Sequence, residues 1–210
     1  MGQRMGSSGA VGGDEERASM ILRPFQNKSP KIDPSAWIAE NAIIIGDVKI
    51  GPRVNIWYNV VIRGDTNRIE IGEETNVQDG TIIHAETIDG PVLIGARVTI
   101  GHNAIVHGCI IEDDVMIGMG AIVLSYSKIG KGSFIAAGAL VKEHENVPPQ
   151  TIMVGVPAKP HGTVTEEMAL RTQVGGQYYL QLAEEYRKAD KIISSGTKVS
   201  GRSRPKKKRD

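Results

Sequence analysis

His84, His102 and His107 are the side chains of this sequence whose type and clustering are suited to chemistry. Neutral imidazole is a common zinc donor, and a catalytic zinc centre keeps three protein ligands with a fourth position open to water. An ion so held lowers the pKa of water to about 7, which makes hydroxide available at neutral pH. Zn(II) is the first expectation; Fe(II) and Co(II) accept the same imidazoles. No fourth His, Cys or acidic residue joins the same set, which favours an open site over a closed structural one. His144 and His161 fall outside the pattern described next and read as surface residues.

The elements that must position these imidazoles follow from a period of six. Aliphatic residues recur at Ile38, Ile44, Ile50, Ile56 and Ile62, then at Ile71, Val77 and Ile83. The series resumes at Ile94, Ile100 and Val106, and runs from Ile111 through Ile117, Val123, Ile129 and Ile135 to Val141. A helix repeats at 3.6 and a surface strand at 2, so a sustained six is neither. It is the signature of a solenoid in which each coil has three short strands and one aliphatic plug per corner. Seventeen such positions predict between five and six coils over residues 38 to about 143. The series breaks after Ile62, after Ile83 and after Val106, and such breaks are expected to become loops on the binding face.

Counting repeats places the side chains. Ile62, Ile83 and Val106 belong to one corner column, so Arg63, His84 and His107 point outward on one wall, because successive strand residues face opposite ways. Val77 and Ile100 belong to another column, which puts Gln78 and His102 on a different side. Three imidazoles on one ion therefore require His102 from a neighbouring subunit, and hence an oligomer.

The rest of the chain is bounded by composition. Its 210 residues suit one β-helix domain (20–146) between an N-terminal extension (1–19) and a Pro/Gly-rich connector (147–164). A helix is expected over 165–193, followed by a basic, disordered tail (194–210). Thr163 with Glu166 resembles a capping box. Tyr179, Leu182, Ala183 and Tyr186 form one apolar stripe, and Gly175-Gly176 predicts a kink or two helices. The net charge of +1 gives the folded body no argument for nucleic acid or an anionic membrane. The single Cys109 excludes an intramolecular disulfide and reads as a buried filler. No segment approaches the ~20 apolar residues of a membrane span, and without a secretory signal the cytoplasm is the expected compartment.

The segments VVIRGDTNRIEIGEETNVQDGTIIHAE (60–86) and VTIGHNAIVHGCIIEDDVMIGMGAIVL (98–124), with VGVPAK (154–159), resemble the γ-class carbonic anhydrases. The resemblance implies a left-handed parallel β-helix with a C-terminal α-helix, assembled as a homotrimer with metal sites between subunits. It implies reversible hydration of carbon dioxide to bicarbonate. The metal would be held by His84 and His107 of one chain and His102 of the next. It also implies that Arg63 and Asp65 fix the interface, with Asp79 a partner for Arg63, and that Gln78 orients the hydroxide or the substrate. Glu86 and Tyr179 would aid proton movement. One departure stands out: Thr66 occupies a place where the best-known type carries an acid, and the loop after His84 offers only Glu86 and Asp89. Two alternatives therefore stay open, a catalytically weak or silent metal-binding trimer and a hexapeptide acyltransferase.

Overall fold

The chain, described here for residues 21–194 of a computed structural model, is a left-handed parallel β-helix of about seven turns with one C-terminal helix. The extension 1–19 and the basic segment beyond residue 194 lie outside the described residues. Every aliphatic position from Ile44 to Val141 in the six-residue series is buried. Along one corner the plugs stack in parallel register, Ile62 on Ile83, Ile83 on Val106, Val106 on Val123 and Val123 on Val141. Each lies over another aliphatic group one strand spacing away, so the prism is close-packed. Thr75, Thr81, Ser127 and Ser133 also point inward, and their hydroxyls donate to the carbonyls of Gly95, Gly101, Leu124 and Pro148. Those bonds remove the cost of burying a hydroxyl.

Three walls result. One carries Ile82–His84, Ile105–His107, Ile122–Val123 and Leu140–Val141. A second carries Val92–Ile94, Ile110–Ile111, Lys128–Ile129 and Asn146–Val147. The long strands Ile43–Ile50 and Val61–Ile71 bend across both and join them into one twelve-stranded sheet. The third wall is an eight-stranded sheet that includes Asn55–Ile56, Asn76–Val77, Thr99–Ile100 and Met116–Ile117.

The structure departs from the sequence expectations in four places. The first break in the period, after Ile62, is no loop: residues 62–71 stay extended within Val61–Ile71. The partner strand bends with it, where Gly46 lies against Gly64. A side chain on Gly46 would meet the Gly64 carbonyl at 2.3 Å, and its φ of +76° suits glycine. Second, the coil is longer than five to six turns. Ile21–Arg23 pairs with Ile43–Ile45 without the hexad, and Val147 and Met153 carry the period past the two prolines into the stretch read as a connector. Third, Thr163 is held extended opposite Thr151, so the helix is capped by Thr165, whose Oγ1 accepts from the Met168 amide at 3.2 Å.

Fourth, the helix α1 (Glu166–Ser194) runs unbroken through Gly175-Gly176. Two glycines cost helix propensity but keep their N–H donors, unlike proline. Tertiary packing offsets that cost. Ala183 is buried, Tyr179 and Leu182 are half-buried, and all three pack with Trp37 and Trp57 on the eight-stranded wall. Tyr186 lies 5.4 Å from both indoles. Arg187 Nη2 donates to the Ser35 carbonyl at 2.6 Å, which anchors the far end. Cys109 is the buried filler expected, its thiol pushed up to about 12 by burial. Among the described residues no helix is long and apolar enough to cross a membrane.

Two expectations about stability follow. Ile117→Ala, in the fully buried prism, will cost about 2–5 kcal/mol in denaturant unfolding. Ile88→Ala, at a side chain 71% exposed, will stay within about 0.5 kcal/mol. Asp114 receives Arg97 Nε at 2.6 Å and faces Lys131 Nζ at 3.4 Å, one contact on each neighbouring coil. Burial alone pushes this carboxyl up, but Arg97 and Lys131 outweigh it and hold it below its ordinary 3.8. A lowered carboxyl stabilises above that value and loses its contribution as pH falls through the folded pKa. Asp114→Asn, which keeps a side chain tolerant of the left-handed φ of 61°, will therefore cost under about 1 kcal/mol at pH 7. The difference from the unaltered protein will shrink as unfolding is repeated below pH 3.8.

Candidate metal centre

The register count predicts a column of outward side chains, and the coil builds it. Arg63 pairs in parallel register with His84, and His84 with His107. Parallel neighbours lie about 4.8 Å apart, so the two rings face each other with centroids 5.0 Å apart. His84 Nδ1 lies 3.0 Å from His107 Nε2. On the far side of His84, Nε2 lies 3.1 Å from Asp65 Oδ1. An ionised carboxylate only accepts, so His84 carries its proton on Nε2 and turns a bare Nδ1 toward His107. Asp65 is kept ionised: burial works against it, but hydrogen bonds from Arg63 and His84 hold its carboxyl below the usual range. Arg63 Nη1 donates to Asp65 Oδ2 at 2.6 Å. His107 is held below its ordinary value, first by burial and then by its neighbour His84, so it stays neutral and able to donate a lone pair.

His102 stands elsewhere. It follows Thr99–Ile100 on the third wall, which the helix covers. Asp79 Oδ2 receives its Nδ1 at 2.9 Å, and the Tyr179 hydroxyl lies 3.4 Å from its Nε2. Within the chain Asp79 thus serves His102, and the partner of Arg63 is Asp65. Tyr179 reaches this place because α1 is clamped on Trp57, whose indole meets the Tyr179 ring edge-on at 5.3 Å. Burial first, and the Asp79 charge second, hold the phenol above its ordinary 10. Gln78, 6% exposed, is on the same wall; its Nε2 donates to Asn76 Oδ1, and Asn76 Nδ2 donates to Thr99 Oγ1.

Among the described residues no three His, Cys, Asp or Glu side chains of one chain gather around a common point. The donors nevertheless suit a divalent ion. A carboxylate fixes the outer nitrogen of His84 and another fixes that of His102, the arrangement that orients imidazole ligands at metal centres. Two nitrogens bound to one tetrahedral ion stand roughly 3.3 Å apart, and His84 Nδ1 and His107 Nε2 already stand 3.0 Å apart.

Two residues with contacts here were missed in the sequence. Thr66, noted only as a missing acid, donates from Oγ1 to the Ala85 carbonyl at 2.7 Å and so tethers the end of the His84 strand. Ser125 Oγ lies 2.8 Å from His107 Nδ1 and 3.4 Å from Glu86 Oε2. It sits two positions after Val123, the next plug in the histidine column, which was the available signal. Glu86 lies at the rim, its Oε2 4.0 Å from His107 Nδ1. The Thr87 backbone amide, above all, holds its carboxyl below the usual range.

Residues 29–64 and 108–143 match the family described as bacterial transferase hexapeptide (six repeats). The chain is 42% identical over 163 residues to "Gamma carbonic anhydrase 2, mitochondrial" of Arabidopsis thaliana, a match covering 75% of this chain and 59% of that protein. It thus spans about three fifths of the length of that plant relative. It is 41% identical over 172 residues to "Carbonic anhydrase" of Geobacillus kaustophilus, covering 79% of this chain and 94% of the relative. Among solved structures, the hexapeptide transferase family protein from Anaplasma phagocytophilum superposes with a TM-score of 0.76 at 42% identity. That match covers 79% of this chain and 98% of the other.

Proposed function

The chain belongs to the γ-class carbonic anhydrase family, and from that membership we propose that it hydrates carbon dioxide reversibly to bicarbonate. The reaction takes place at metal sites built between the subunits of a homotrimer. One observation carries the reading: the three imidazoles are divided between two walls, each half oriented by its own carboxylate. A half-site on each of two walls is completed by a heterologous contact repeated around a three-fold axis.

His84 and His107 of one protomer and His102 of the adjoining one would hold the ion, Zn(II) in the first instance. When bound, the ion supplies hydroxide from water at neutral pH by lowering its pKa to about 7. Asp65 keeps Nδ1 of His84 bare, and Asp79 does the same for Nε2 of His102. Gln78, with its Nε2 given to Asn76, offers Oε1 as an acceptor that orients the nucleophile beside the substrate. Tyr179 remains a phenol at neutral pH and therefore acts as a donor, not as a base. Arg63 holds Asp65 in place and, through its remaining donors, faces the adjoining protomer.

Glu86 is the proton acceptor at the rim, and a weak one. Efficient proton transfer wants a pKa near the working pH, while this carboxyl is held below the ordinary carboxylate range. Proton export then falls to the buffer.

Stopped-flow hydration of carbon dioxide by metal-reconstituted protein is the direct test. A rate no higher than buffer at full metal occupancy, with zinc and with iron loaded anaerobically, sinks the proposal. Subunit mixing tests the interface. His84→Ala and His102→Ala will each be inactive alone. Co-refolded at equal amounts they will regain roughly one quarter of wild-type sites, because only one ordered pairing in four is intact; no recovery would remove the shared site. At fixed pH, turnover will also rise with the concentration of an imidazole buffer, and a flat response would restore Glu86 as an efficient exporter.

The solved relative belongs to a hexapeptide transferase family, which motivates a second reading, a hexapeptide acyltransferase. Calorimetric binding of coenzyme A, lost on His102→Ala or His107→Ala, would move the protein to that class.

A further inference from the structure

We propose that Ser125 is a positioning residue for His107, fixing which ring nitrogen carries the hydrogen and tying that choice to the Glu86 carboxylate. The inference rests on the reading of His107 as a metal ligand.

The argument starts from hydrogen-bonding capacity. Ser125 is 3% exposed, and its hydroxyl stands between His107 Nδ1 at 2.8 Å and Glu86 Oε2 at 3.4 Å. A hydroxyl has one proton to give, and a carboxylate only accepts. With His107 Nε2 given to an ion, Nδ1 keeps the hydrogen and donates it to the serine lone pair, which turns the serine proton toward Glu86. His107 is left with a bare Nε2, turned toward His84 Nδ1. Asp65 imposes the matching choice on His84 from the other side. The two lone pairs then converge from nitrogens 3.0 Å apart on the place a cation would take; without one, His107 Nε2–H donates to His84 Nδ1 and the serine proton turns to His107 Nδ1.

The corner is built to keep Ser125 there. Tyr126 turns the chain with a φ of 61°, and its amide donates to the Gly108 carbonyl at 2.7 Å. The Tyr126 ring stacks on His144 at 4.9 Å, and its hydroxyl donates to the Ile88 carbonyl at 3.1 Å, pinning the loop that carries Glu86. Gly108 supplies the room: a Cβ there would come within 2.8 Å of Glu86 Cβ and 3.2 Å of Ser125 Oγ. Any larger residue at 108 would push the carboxylate and the hydroxyl out of place.

The test uses the full chain labelled with ¹⁵N-histidine. In the zinc-loaded protein, two-bond proton–nitrogen correlation will find a hydrogen-bonded proton on His107 Nδ1, and in Ser125→Ala that proton will lose its hydrogen-bonded shift. Zinc titration against a competing chelator will show Ser125→Ala binding about 10–100-fold more weakly. Ser125→Thr, which keeps the hydroxyl, will restore affinity and the Nδ1 proton signal, and Glu86→Gln will fall between. Should Ser125→Ala fail to fold, Glu86→Gln and Ser125→Thr carry the comparison. Tight zinc binding by the unaltered chain, with the Nδ1 proton signal and affinity unmoved in Ser125→Ala or, if that fails to fold, in Glu86→Gln, overturns the role of Ser125 alone. No zinc binding by the unaltered chain overturns the metal reading and the proposal with it.

Discussion

Close packing of one aliphatic side chain per corner, in a prism too narrow for anything else, is the constraint from which the rest of the molecule follows. Because Ile62, Ile83, Val106 and Val123 must sit above one another, the residues beside them have no freedom of register. A slip of one residue would turn the aliphatic series outward and the polar one inward. The hydrophobic stack thus fixes, at no further cost, the spacing of Arg63, His84 and His107 on the surface. A column of functional groups on a solenoid is positioned by its core rather than by its loops.

Electrostatics then completes what packing begins. Asp65 and Asp79 each face the outer nitrogen of a histidine, and each is placed by a different wall. Desolvation disfavours the Asp65 charge, and hydrogen bonds from Arg63 and His84 outweigh that penalty. The carboxylates thereby orient the rings of His84 and His102. Within one chain His102 stays on a wall apart from that of His84 and His107.

The terminal helix gives the third wall its chemical character. Trp37 and Trp57 clamp it through tilted and edge-on contacts to Tyr179 and Tyr186, and that clamp sets Tyr179 beside His102. Its first half stands away from the coil along a groove of about 770 Å³, with Leu170 and Val174 exposed. Firm anchoring is therefore concentrated at the end that serves the site.

The coil, the shared wall of His84 and His107, and the separate wall of His102 were all legible in the linear sequence. Each follows from a strict period and from the alternation of side chains along a strand, which are local properties. The extended run through Val61–Ile71, the cap at Thr165 and the unbroken helix were not legible. These depend on partners far away in the chain: Gly46 against Gly64, Thr163 against Thr151, and Ala183 against the tryptophans. Ser125 and Thr66 were hidden for the same reason. Their hydroxyls find His107 and Ala85 about one coil away, 18 and 19 residues along the chain. Periodicity sets which wall a residue occupies, but only the folded corners decide which atoms meet across it.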